Sequence, residues 1–369
     1  MAGALSRMLG GLVQAGAKAL GGERFSLVSL LPTTLLVTYV AFLGTSGVYS
    51  GEKVDLDSLA QTVGKNAGWA ILAVFGVFVI SVLLRPLQIT LVWILEGYWE
   101  NTPVLKWAEP FAIERHLRRR HTAEVQADQY LDNVRDDPRL QSIVSDRRRL
   151  RAHVIRTSRA EQRVGQYPED RPDGDIRLMP TMLGNALRKG EDDAGDRYGL
   201  DFPVIAPRLY PHLSDKINAE IIRNLDVVES GAALTTVFFF AAVASVPLVW
   251  RADEWSFAAP AALLLAVLAH LGTLRTARDH GLLLASAVDL HRFDMIAKLH
   301  YKLPSTPHEE WDFNRSLSIF YASESGEARE FMLSHRYVHD LGLPPGPAAQ
   351  PVLPDGASND SDGSAVQAE

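Results

Sequence analysis

Three arginines are the side chains of this chain best suited to binding a ligand. Arg188, Arg208 and Arg292 carry guanidinium groups, which bind phosphate and carboxylate oxygens through paired hydrogen bonds. If the three converge near the inner leaflet of a membrane, they form a site for a lipid headgroup or another small anion. We favour the structural alternative, in which Arg208 forms an ion pair with Asp201 or Asp289 and holds a loop in place.

Other residues near these arginines have the character of structural motifs. Gly184 and Gly199 allow tight turns or close packing, because glycine has no Cβ atom. The predicted motif residues are Gly184, Asn185, Tyr198, Gly199, Asp201, Asp289 and His291. We expect them to shape the polar part of the protein, with no part in a reaction.

Little else in the sequence indicates catalysis or a bound cofactor. The chain has no cysteine, which excludes disulfides, thiolate nucleophiles and cysteine-ligated metal clusters. It contains no phosphate-binding glycine loop, no nucleophile elbow and no His-Glu-x-x-His pair. His335 and His339 have the spacing of two metal ligands on one helix face, and Glu330 or Asp340 could be a third, but such histidine pairs are common on solvated helices. We therefore predict no cofactor, no metal site and no enzyme activity.

The elements that must position these residues include four candidate membrane spans. Residues 25–44, 66–84, 231–250 and 255–274 contain no charged side chain. A helix of roughly 20 apolar residues crosses the hydrocarbon core of a bilayer. The sequence therefore predicts an all-α fold, a four-span integral membrane protein with two transmembrane hairpins and a cytoplasmic helical domain.

The distribution of lysine and arginine predicts the orientation of these spans. Lysine and arginine are concentrated at the ends of the spans that lie away from the short connections 45–65 and 251–254. Cytoplasmic flanks of membrane spans carry such an excess. Both termini are therefore predicted to lie in the cytoplasm, with the protein in the plasma membrane. The predicted divisions are an N-terminal amphipathic segment (1–24), the first transmembrane hairpin with an interfacial elbow (25–97), the cytoplasmic helical domain (98–230), the second transmembrane hairpin (231–274), C-terminal cytoplasmic helices (275–342) and a disordered tail (343–369).

Two arginine runs lie in the predicted cytoplasmic domain, at residues 118–120 and 147–149. They could bind anionic lipid headgroups or nucleic-acid phosphates, or they could be solvated helix faces balanced by nearby acids. Residues 98–230 hold 22 basic and 23 acidic side chains. Because this balance leaves no net positive domain, we favour solvated faces and predict no nucleic-acid partner.

A series of short motifs follows the second arginine run. They are Thr181-Met182-Leu183-Gly184-Asn185-Ala186-Leu187-Arg188, Tyr198-Gly199-Leu200-Asp201, Pro207-Arg208-Leu209, Asp289-Leu290-His291-Arg292-Phe293 and Leu303-Pro304. With a hairpin of spans between the third and the fourth, the series resembles a group of uncharacterised multi-pass membrane proteins of high-GC Gram-positive (actinobacterial-type) and other bacteria. The resemblance covers roughly residues 180–305. It implies a multi-pass topology, and it transfers no activity and no catalytic residue.

The composition of the spans bears on the function class. Transporters usually carry ionisable residues inside their spans, and the four predicted spans carry none at mid-depth. Their hydroxyl and small side chains are typical of helix packing. We therefore expect a membrane-anchored scaffold or interaction module, whose partners are the lipid bilayer and either a cytoplasmic protein or further copies of the chain. An oligomeric channel or small-solute transporter is the alternative, and a lipid-acting enzyme that uses the three arginines comes third.

Overall fold

The computed structural model describes residues 23–50, 67–100, 102–128, 146–170, 176–251, 253–322 and 335–338. The predicted disordered tail, almost all of the predicted N-terminal segment, and His339 lie outside these ranges. Within them the only β-type pairing is an isolated antiparallel bridge between Tyr301 and Tyr337. The all-α class is therefore confirmed for the described residues.

Ten α-helices account for most of the described residues. They are α1 (Glu23–Thr45), α2 (Ala67–Leu83), α3 (Arg85–Glu96), α4 (Glu109–Ala127), α5 (Arg147–Val164), α6 (Met182–Gly195), α7 (Phe202–Leu209), α8 (Asp215–Ser245), α9 (Ala258–Lys298) and α10 (Pro307–Ala322). Short 3-10 helices extend the hairpin ends of α8 and α9, at Val246–Trp250 and Glu254–Phe257. The two longest helices are therefore joined by a short connection.

Two helical segments are long and apolar enough to cross a membrane, namely Asp215–Trp250 and Glu254–Lys298. The sequence predicted four spans, but the described part of the first hairpin does not meet the same criterion. The apolar segment Pro32–Thr45 of α1 is shorter, and α2 has 17 residues. At 1.5 Å per residue, a helix of this length rises about 26 Å, less than the roughly 30 Å hydrocarbon core. Among the residues searched, only the second hairpin therefore meets the criterion for a membrane-spanning helix.

Helices α8 and α9 pack along each other. Gly231 of α8 lies against Thr273 of α9, where a Cβ atom on the glycine would come within 2.3 Å of the threonine Oγ1. Ser214 caps α8 by accepting a hydrogen bond from the Ile217 amide at 3.4 Å. As the sequence predicted, α8 runs from this cap into its apolar segment without a break.

The polar ends of α8 and α9 form a helical body together with α6, α7 and α10. Its main core contains Leu200, Phe202, Ile205, Leu209, Ile221, Leu284, Met295, Ile296 and Leu317. Burial of each large apolar side chain stabilises the fold by about 1.5–3 kcal/mol. A second cluster joins α6 to the hairpin through Leu183, Val228 and Leu274. The helical body is therefore built on the hairpin helices themselves.

Helices α4 and α5 pack against each other as a second unit. Asp146 caps α5 by accepting a hydrogen bond from the Arg148 amide at 2.8 Å. His116 of α4 and His153 of α5 are buried, whereas all seven arginines of α5 are exposed. Both predicted arginine runs are thus helical, the first inside α4 and the second in the first turn of α5.

Candidate functional site

A buried asparagine holds the loop in front of α6. Oδ1 of Asn185 accepts a hydrogen bond from the Met179 amide at 2.9 Å. Its Nδ2 donates to the carbonyl oxygens of Met179 and Thr181 at 2.9 and 2.7 Å. Thr181 in turn caps α6 by accepting a hydrogen bond from the Gly184 amide at 3.0 Å. These contacts fix residues 179–181 against the first turn of α6.

Gly184 allows α3 to end directly against α6. A Cβ atom on Gly184 would lie 1.8 Å from the carbonyl oxygen of Glu96, the last residue of α3. The chain turns away at Gly97, whose φ of 102° is readily adopted only by glycine. This close contact places Glu96 and Tyr98 beside the side chains of α6.

A cavity of about 160 Å³ lies where α3, α6, α8 and α9 meet. Its polar lining consists of Glu96, Tyr98, Arg188, Glu191 and His280. The rest of the lining is mostly apolar and includes Leu225 of α8 and Leu284 of α9. We call this space the carboxylate cavity, because two of its polar groups are carboxylic acids. Its size suits a small polar molecule.

Burial makes the acids of the carboxylate cavity easier to protonate. It raises the pKa of Glu96 to about 7, and the neighbouring carboxylates of Glu229 and Glu191 add to the shift. Burial also raises the pKa of Glu191, although the charge of Arg188 opposes this. Burial lowers the pKa of His280, whose Nδ1 has no hydrogen-bond partner within the described part of the chain. The cavity can therefore take up or release a proton near neutral pH.

The Glu96→Gln variant should flatten the dependence of stability on pH between pH 4.5 and about 7. Because the pKa of Glu96 is higher in the folded state, the folded protein binds more protons than the unfolded chain in this range. Its free energy of unfolding therefore falls as the pH rises. Glutamine keeps the shape without ionising, so the variant should exceed the wild type in stability above pH 7. Thermal unfolding in detergent on both sides of this range measures the effect.

Glu161→Gln, at an exposed position of α5, is the matched control and should leave the wild-type pH dependence unchanged. If Glu96→Gln also kept that dependence, Glu96 would not be the group that titrates.

The structure places two of the predicted anion-binding arginines in different surroundings. Arg188 lines the carboxylate cavity. Arg208 donates a hydrogen bond from Nη1 to the carbonyl oxygen of Val204 at 2.7 Å, and its guanidinium lies 3.8 Å from the centre of the Tyr321 ring. The hydrogen bond to Val204 lies within α7, and the contact with Tyr321 joins α7 to α10. They differ from the ion pair with an aspartate that the sequence suggested.

Arg292 joins α9 to α10. Its Nε donates a hydrogen bond to Glu310 at 2.6 Å, and its guanidinium lies 4.1 Å from the centre of the Tyr198 ring. The Tyr198 hydroxyl donates to Asp289 at 2.6 Å. The Arg292 and Glu310 side chains are only 15% and 9% exposed, so a buried carboxylate already neutralises this arginine. Arg188, Arg208 and Arg292 thus lie in three different surroundings.

Gly199 and Asp201 precede α7 and contact α10, whereas His291 forms its contact within α9. Gly199 has a φ of 74°, and a Cβ atom there would lie 2.5 Å from the carbonyl oxygen of Trp311. The Asp201 amide donates to the Ser318 hydroxyl at 3.0 Å. His291 lies 3.1 Å from a carboxylate one turn along α9. Gly199 thus combines the turn and the close packing that its residue type predicted.

Sequence analysis missed the main polar groups of the carboxylate cavity. Glu191 lies inside α6, beyond the motif 181–188 that the sequence singled out. His280 is an isolated histidine in a long helix and has no motif around it. Glu96 had one usable signal, because it is the first carboxylate after the apolar stretch that begins at residue 66.

Comparisons with known proteins add no relative, since no family model, curated protein or solved structure matches the chain. Within the described ranges, no group of three His, Asp or Glu side chains is placed to hold a metal ion. His335 packs its ring against Phe313, with 5.3 Å between the ring centres. The function must therefore be inferred from the geometry of the chain itself.

Proposed function

We propose that this protein is a membrane-anchored scaffold or interaction module whose helical body binds a protein partner or a second copy of the chain. In this proposal residues 25–44, 66–84, 231–250 and 255–274 cross the plasma membrane. Both termini and the helical body face the cytoplasm, and neither a cofactor nor catalysis is needed. The observation that carries the proposal is the continuity of α8 and α9 from the apolar hairpin into the core of the helical body.

This continuity makes the anchor and the helical body a single unit. Near one end of α9, Ala262 packs against alanines of α8 inside the hairpin. Near the other end, Met295 and Ile296 are fully buried in the core of the helical body. A helix held at both ends fixes the position of the body relative to the bilayer. Such an arrangement suits a protein that presents a surface at a set distance from the membrane.

An exposed apolar stripe on α9 is a suitable surface for that partner. Leu282 and Leu290 are 70% and 66% exposed in the described part of the chain, and Phe293 is exposed beside them. Their spacing places the three side chains on one face of the helix. Exposed apolar patches on soluble surfaces often mark protein contacts. We call this group the α9 stripe.

Single-cysteine crosslinking in cells tests the proposal, because the chain has no native cysteine to compete. Leu282→Cys and Leu290→Cys, labelled with a thiol-reactive photo-crosslinker, should give a discrete adduct that mass spectrometry identifies as a partner or a second copy. Asp312→Cys, exposed on α10 and outside the α9 stripe, is the matched control. We expect its adduct to be several-fold weaker.

Orientation is checked on the same variants with a membrane-impermeant maleimide. Leu290→Cys should react only after the cells are permeabilised, and reaction in intact cells would reverse the proposed topology. If Leu282→Cys, Leu290→Cys and Asp312→Cys crosslinked equally, the α9 stripe would not be the docking surface. Reproducible solute-specific flux through reconstituted protein would favour the channel alternative.

A further inference from the structure

A basic cleft of about 860 Å³ lies between the α4–α5 unit and α9. Its lining includes Arg115, Arg118, Arg119, Arg163 and Arg278. The one acidic residue in the lining is Glu114, whose Oε1 lies 2.8 Å from the Nε of Arg118. Five arginines against one glutamate leave a net charge of +4. We call this space the arginine cleft.

Four of these arginines have no carboxylate partner among the residues that the structure describes. They are Arg115, Arg119, Arg163 and Arg278, and all four are exposed. The lowered pKa of His116 reflects the same concentration of charge, since burial and then the charges of Arg115 and Arg119 lower it. On a helix surface an acid three or four residues away can pair with an arginine, and among the described residues none does so for these four. The arginine cleft therefore has unused capacity to bind an anion.

One wall of the arginine cleft is apolar and belongs to the second hairpin. Leu271 and Leu274 line it from the last turns of the segment 255–274, and Phe111 of α4 faces them from the other side. Leu271 is 49% exposed and Phe111 is 71% exposed. Arg278 follows Leu274 by one helical turn. Apolar and basic groups thus meet at the depth where a span ends and phosphate headgroups begin.

We propose that the arginine cleft binds the headgroup of an anionic phospholipid from the cytoplasmic leaflet, with the start of an acyl chain against the exposed Leu271 and Phe111. A soluble phosphate would contact only the arginines. A phospholipid would contact the arginines with its headgroup and the apolar wall with its acyl chain. The sequence favoured a solvated face for the run 118–120, and the cleft changes this interpretation for Arg118 and Arg119. The proposal requires that the second hairpin cross the membrane, and it is independent of partner binding at the α9 stripe.

Binding of phosphatidylglycerol to the full-length protein in neutral detergent tests the proposal, with phosphatidylcholine as the uncharged reference. We expect phosphatidylglycerol to bind at least tenfold more tightly, and added salt to weaken it. Arg115→Gln combined with Arg119→Gln should weaken its binding about tenfold. Arg278→Gln, on the opposite wall, should weaken it in the same direction. Thermal unfolding of each variant should match the wild type, because the changed side chains are exposed.

The matched control is Arg147→Gln combined with Arg148→Gln, which removes the same charge from exposed positions of α5 outside the arginine cleft. It should change the affinity for phosphatidylglycerol less than twofold. If both double variants lost the same affinity for phosphatidylglycerol, the effect would come from net charge alone, and the proposed site would be wrong. Two other results would overturn it as well, namely equal affinity for the two lipids, or full displacement of phosphatidylglycerol by inorganic phosphate at the same concentration.

Discussion

Replacing Gly281 with leucine is expected to detach α6 from α9 and to lower the free energy of unfolding by about 3 kcal/mol or more. A Cβ atom on Gly281 would lie 2.6 Å from the Cα atom of Gly190, and the reverse distance is 2.5 Å. The obstacle is backbone and not a flexible side chain, so one helix must move away. Thermal unfolding of the full chain in detergent, followed by circular dichroism, measures the loss.

Gly272→Leu is the matched control for this prediction. Gly272 lies on the same helix, and a Cβ atom there would meet nothing within 4 Å. Leucine is a better helix former than glycine and suits lipid, so this change should be neutral or stabilising by up to about 1 kcal/mol. If the two variants had the same stability, the crossing of α6 and α9 at Gly190 and Gly281 would be wrong.

The buried ion pair between Arg177 and Asp192 should give the second large effect. Arg177 precedes α6 and donates hydrogen bonds from Nη2 and Nε to the Asp192 carboxylate, the second at 3.3 Å. The two side chains are 11% and 6% exposed. Arg177→Met leaves the carboxylate buried without its partner, which costs about 3–5 kcal/mol. Thermal or denaturant unfolding in detergent should show this loss.

Two further variants distinguish the loss of the ion pair from a nonspecific loss of stability. Arg177→Met combined with Asp192→Leu removes both charges and should recover much of the stability, because buried pairs can often be replaced by apolar residues. Arg223→Met breaks an exposed pair with Glu220, at 71% and 42% exposure, and should cost less than about 1 kcal/mol. A double variant as unstable as Arg177→Met alone would contradict the buried-charge explanation.

Local features of the fold were predictable because their causes are local. Ser214 is a good N-cap residue in front of a long apolar periodicity, and α8 begins and continues as expected. The runs 231–250 and 255–274 are likewise local features, because each is a continuous stretch of sequence without a charged side chain. The first hairpin shows the limit of this reasoning. Its second helix, α2, has 17 residues, so a run without charge does not by itself give the roughly 20 residues of helix that a full span needs.

The polar sites were much less predictable, because their members come from distant parts of the chain. Glu96, Glu191 and His280 meet only through the close contact of α3 with α6 and the crossing of α6 with α9. Residue type alone also did not indicate the contacts of Arg208 and Arg292. Tyr321 and Glu310, which contact them, lie on a helix that the sequence alone does not bring near.

The contact between Gly190 and Gly281 also constrains how the protein is made. Helix α6 leaves the ribosome before either helix of the second hairpin has been synthesised, so its partner face is bare at that stage. Leu183 and Ala186 on that face are 0% and 4% exposed in the finished protein. Long-range contacts form late, and uncovered apolar faces promote aggregation. Packing of the second hairpin against α6 is therefore the step that covers this face.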